Sequence, residues 1–137
     1  MSVVLRLTFI TLGARDLASL RGFYQRWGWV ERPGASDTFV AFDAGGVRLA
    51  LYPLSLLADE AAPREALPEP GRWNGVTLAI NVERRDEVHA TVADAISCGA
   101  SPIAPPTERE WGGCSAYVSD PEGNRWEIAW APDHPDG

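Results

Sequence analysis

The chain has 137 residues, 45% of them hydrophobic, and a net charge of −7. That length and apolar content suit one core or two small packed halves and exclude a disordered chain. The basic residues are all arginine, and the acidic excess argues against nucleic acid or an anionic membrane surface as partner while tolerating a cationic ligand. Cys98 and Cys114 show no CxxC spacing and are expected to be reduced and buried. Arg6 interrupts the apolar start and no small-residue cleavage pattern follows it. Nothing approaches about 18 uninterrupted apolar residues, so no membrane span is expected and the cytoplasm is the expected location.

Val3 to Leu12 reads as a strand, with Phe9 and Thr11 on one side and Ile10 and Leu12 on the other. Asp16 is placed to cap a helix whose apolar positions Leu17, Leu20, Phe23, Tyr24 and Trp27 keep helical spacing, and Gly28 is placed to end it. Trp29 to Glu31, Thr38 to Phe42 and Val47 to Tyr52 follow as strands, with turns at Arg32 to Ser36 and Gly45-Gly46. From Pro53 to Arg72 the composition shifts to Pro, Ala, Glu and Leu. Ser55 to Glu60 has room for a helical turn, but Pro63, Pro68 and Pro70 interrupt regular structure, so the stretch reads as a linker or a lid.

Gly75 to Val82 is again a strand, sending Thr77, Ala79 and Asn81 to one face. Asp86 and Glu87 suit the first turn of a second helix with the stripe Val88, Val92, Ala95 and Ile96, closed by Gly99; His89 lies on its solvated flank. Ser101 to Ala104 reads as a short strand, Pro105 to Gly113 as a loop and Cys114 to Ser119 as a strand. Asp120-Pro121-Glu122-Gly123 fits a type I turn. Beyond it Arg125, Glu127 and Ala129 alternate with Trp126, Ile128 and Trp130, and the second set needs a core.

The order strand, helix, three strands therefore occurs twice, and DAGGVRLAL corresponds to DPEGNRWEI. The expected class is α+β: two tandem βαβββ modules forming a cup-shaped mixed sheet. Module 1 spans about 1–53, a linker about 54–74, module 2 about 75–132, and a tail with His134 about 133–137. The helix-free faces would carry Phe9, Thr11, Arg48, Ala50, Tyr52, Thr77, Ala79, Asn81, Tyr117, Arg125 and Glu127, a mixed lining of the kind small-molecule pockets have.

TLGARDLASLRGFYQRWGW resembles the opening motif of the vicinal-oxygen-chelate superfamily, which includes glyoxalase I, bleomycin-resistance proteins and extradiol dioxygenases. SDPEGNRWEIAW resembles its closing motif. The resemblance implies the glyoxalase/bleomycin-resistance/dioxygenase fold and a homodimer. In metal-dependent members four ligands come from the first and last strands of each half, which correspond here to Phe9, Ala50, Thr77 and Glu127. Only Glu127 keeps a usual ligand, and divalent transition metals want three or more His, Glu or Asp donors, so no metal and no other cofactor is expected.

Three functions stay open. The first is a metal-free binder of a small organic molecule. The second is a metal-independent lyase or isomerase with Glu127 as general base and Asn81, Arg125 or Arg48 stabilising an oxyanion. The third is a structural or regulatory homodimer whose cup is filled by its own side chains. Glu127 on an interior face needs a partner, and Arg125 or Arg48 would supply an ion pair. Trp111 is placed either to stack on a planar or cationic ligand or to pack against the linker.

Overall fold

Asp16 ends the first strand's connection by accepting a 3.0 Å hydrogen bond from the Ser19 backbone, which caps helix α1 (Leu17–Trp27). Gly28 closes that helix at φ 104°, a left-handed turn open to glycine without strain. Between these caps, α1 buries Leu20, Phe23 and Tyr24 completely. They meet Val40, Phe42, Leu49 and Leu51, at most 2% exposed, and each such side chain contributes roughly 1.5–3 kcal/mol by leaving water. The structure is a computed structural model and describes residues 2–132; His134 and the tail 133–137 lie outside the described residues.

The remaining elements are β1 (Phe9–Ala14), β2 (Val30–Glu31), β3 (Val40–Asp43), β4 (Arg48–Pro53), α2 (Leu54–Ala61), β5 (Thr77–Asn81), α3 (Asp86–Ser97), β6 (Ser101–Glu108), β7 (Cys114–Ser119) and β8 (Arg125–Trp130). They form two four-stranded sheets, β1-β4-β3-β2 and β5-β8-β7-β6, in two compact units that divide between Leu67 and Pro68. In each unit the first strand runs parallel to the last, and the other pairs are antiparallel. The registers of the parallel pairs repeat as well. Phe9 faces Arg48 and Thr11 faces Ala50 in one sheet; Thr77 faces Arg125 and Ala79 faces Glu127 in the other. In the second unit α3 buries Val88, Val92 and Ala95 against the side of β7 and β8 that carries Ala116, Val118, Trp126 and Ile128.

Several sequence expectations need correction. β1 begins at Phe9, not Val3, because β4 starts at Arg48 and offers no earlier partner beyond the bond from Arg48 N to Thr8 O (2.9 Å). Val3, Val4, Leu5 and Leu7 are left 64–93% exposed. The stretch expected as a linker holds an eight-residue helix, α2, since Pro53 stands at its N-cap and the other prolines follow Ala61. β6 runs on to Glu108 where a loop was expected; register shifts around Ala104 accommodate Pro105 and Pro106. Ile96 is 40% exposed rather than core, and Cys98 is half-buried while Cys114 is buried; the two form no disulfide among the described residues.

Candidate functional site

In the N-terminal unit, alternation along β1 and β4 turns Phe9, Thr11, Arg48, Ala50 and Tyr52 away from α1. Phe39, just before β3, joins them: its ring stands 6.4 Å from Phe9 and 6.5 Å from Tyr52, both edge-on. The Arg48 guanidinium lies over the Phe9 ring, 5.5 Å from its centre. Ala50 is fully buried beside Ala41 and Thr11 and forms the floor. A cavity of about 180 Å³ opens here, walled by Phe9, Phe39, Arg32, Arg48 and the Pro33–Ala35 loop.

The far end of this face is held by α2. A Cβ at Gly13 would stand 2.6 Å from Leu54 Cδ1, so glycine lets α2 start directly over β1. Glu60 of α2 accepts a hydrogen bond from the Tyr52 phenol. That bond, with burial and the carboxylate charge behind it, raises the phenol's pKa.

The corresponding face of the C-terminal unit is more polar. Tyr117 lies directly across from Glu127 and donates its phenol proton to that carboxylate. Burial first, then the Glu127 charge and hydrogen bond, raise the Tyr117 pKa, and the Arg109 charge opposes them. Arg109 Nε donates to Ser115 Oγ at 2.7 Å on the same face. Arg125 turns back to donate to the Gly123 carbonyl at 2.5 Å. Thr77 and Asn81 are exposed on β5.

The ion pair expected for Glu127 is therefore absent among the described residues. A cross-strand neighbour stands closer than a residue two places along the same strand, so Tyr117 reaches the carboxylate before Arg125 does. Trp111 is 54% exposed and lies on the Gly113 backbone, where a Cβ would collide with the indole and with the Trp130 carbonyl. Sequence reasoning missed Phe39, Arg32, Arg6 and Arg109. Phe39 was accessible through its alternation with Ala41, whereas Arg109 sat in a stretch read as a loop.

The family's usual metal does not fit these residues. Phe9 and Ala50 offer no donor, Thr77 a weak one, and the Glu127 carboxylate is held by Tyr117. Among the described residues no three His, Cys, Asp or Glu side chains gather in a way that could hold an ion.

Two βαβββ units with matching registers, opened and closed by the motifs above, define a protein of the vicinal-oxygen-chelate superfamily. The glyoxalase-like domain family matches residues 9–129, and the chain belongs to that family. It is similar to a glyoxalase-related enzyme from Fulvimarina pelagi, at 27% identity and a TM-score of 0.85 over 98% of this chain and 94% of that one. It is also similar to a glyoxalase/bleomycin resistance protein/dioxygenase family enzyme from Burkholderia phytofirmans PsJN, at 25% identity and a TM-score of 0.78, covering 92% of this chain and 98% of the other. A lactoylglutathione lyase from Agrobacterium tumefaciens shares the fold, with a TM-score of 0.68 at 20% identity over 92% and 93% of the two chains. No curated protein matches. No helix among the described residues is long and apolar enough to cross a membrane.

Proposed function

We propose that the chain binds a small organic molecule without the divalent metal usual in its superfamily, on the face of the N-terminal sheet turned away from α1. The observation that carries this reading is the cavity of about 180 Å³ between Phe9, Phe39 and Arg48. It falls below the roughly 300 Å³ at which drug-sized pockets begin, so it suits a guest with a single ring. The Phe9 and Phe39 rings are 40% and 36% exposed, and covering them would remove apolar surface from water at about 25 cal/mol per Å².

Catalysis through Glu127 finds less support. Its carboxylate is occupied by the Tyr117 phenol, on a face where Arg109 and Arg125 also have acceptors. The homodimer implied by the family belongs to the proposal, and sedimentation of the purified chain checks it. Native mass spectrometry with elemental analysis of freshly purified protein tests the main reading. A retained organic mass with no stoichiometric metal supports it, and a stoichiometric divalent ion overturns it.

A further inference from the structure

The charge of the whole chain points to a cationic guest, but the charges around this cavity have the opposite sign. A second cleft of about 450 Å³ adjoins the first and shares Arg32 and Arg48 with it. Its other charged walls are Arg6 and Asp43. Asp43 stands across the strand pair from Arg48, yet it accepts from Arg32 at 2.8 Å. Among the described residues, Arg6 and Arg48 have no carboxylate partner. The cleft therefore holds one neutralised ion pair and two uncompensated guanidiniums.

Distance decides between the local and the global field. The net charge of −7 is spread over the surface, where salt screens it beyond about 8–10 Å. The two guanidiniums act at contact, as charge-assisted donors whose forked geometry matches a carboxylate. Beside them, the Phe9–Phe39 cavity is apolar and accepts a ring. An acid group in the larger cleft and a ring in the smaller one would place the guest on both sides of Arg48.

Resting on the binding function proposed above, we infer that the guest is a small organic anion carrying an aromatic ring. Its acid group is taken by Arg48 and Arg6, and its ring lies against Phe9 and Phe39. Nothing in this assignment requires a metal or a chemical step.

Isothermal titration with phenylacetate, phenylacetamide and benzyltrimethylammonium tests the inference, since the three share a ring and differ in charge. Phenylacetate should bind at least about tenfold more tightly than the amide, the size of one charge-assisted contact, and the cation weakest of all. Arg48→Ala and Arg6→Ala should each remove about tenfold of phenylacetate affinity, a larger loss than either causes for the amide. Arg48→Lys should restore part of the loss, which excludes misfolding as its cause. Equal binding of all three probes, or preference for the cation, overturns the anion assignment while leaving the binder intact. If no probe binds and native mass spectrometry finds a neutral or cationic guest, the anion assignment alone falls. If no probe binds and no organic mass is retained, the proposed function falls with it.

Discussion

The two units share one backbone plan and differ in what they do with polar side chains. Asp43 and Asp120 correspond in the repeated sequence, but Asp43 faces Arg48 across its hairpin whereas Ser119, one residue before Asp120, faces Arg125. Asp43 is 53% exposed and reaches across to Arg32. Asp120 is buried and accepts from the Glu122 and Asn124 backbones at 2.9 Å and from Asn124 Nδ2 at 2.8 Å. Arg48 and Arg125 also correspond in register, yet Arg48 lies on a phenyl ring while Arg125 is tied to a carbonyl. The C-terminal face thus satisfies its own donors and acceptors, and the N-terminal face leaves guanidiniums and rings available.

Substitutions can break that contrast. Asp120→Ala should cost the most stability, about 2 kcal/mol in urea unfolding, because it strands two part-buried backbone donors, while phenylacetate affinity stays unchanged. Tyr117→Phe should cost about 1 kcal/mol near neutral pH. Its pH signature is sharper. The folded-state phenol pKa is raised above 10.0, so its stabilisation is fully present below that value and is lost as pH climbs through the raised one. The wild type should therefore lose more stability than Tyr117→Phe between neutral and strongly alkaline pH, and equal losses would contradict the pair.

On the other unit the effects shift from stability to binding. Asp43→Ala should change stability by less than about 0.5 kcal/mol, since its pair is exposed, and should tighten phenylacetate binding severalfold by freeing Arg32. The smallest effect belongs to Arg21 and Glu31, away from both faces. Arg21 donates to Glu31 from two nitrogens, at 2.8 and 2.7 Å, and this lowers the Glu31 pKa below its ordinary 4.5. The stabilisation is present above 4.5 and lost as pH falls through the lowered value. Arg21→Ala should thus lower the melting temperature slightly at neutral pH and not at all in strong acid.

Periodicity made most of this frame legible before any coordinates. Alternation sorted Phe9, Thr11, Arg48 and Tyr52 onto one face, and the matching of Gly46 with Gly123 pairs Ala50 with Glu127 as the strand registers do. What stayed hidden has physical reasons. The full length of α2 is obscured because Pro63, Pro68 and Pro70 dominate the composition of a stretch in which Leu54–Ala61 lack proline. β6 was cut short because Pro105 and Pro106 argue against a strand unless bulges absorb them. Side-chain partnerships were least legible: the sequence places Arg125 two residues from Glu127, but only register shows Tyr117 nearer.

The most direct measurement is an amide-resolved NMR titration of the labelled protein with phenylacetate. Shifts confined to Arg6, Phe9, the Arg32–Phe39 stretch and Arg48, with Thr77, Tyr117 and Glu127 unmoved, are what this account predicts. Shifts centred on β5 and β8 around Glu127, with the N-terminal face silent, would contradict it.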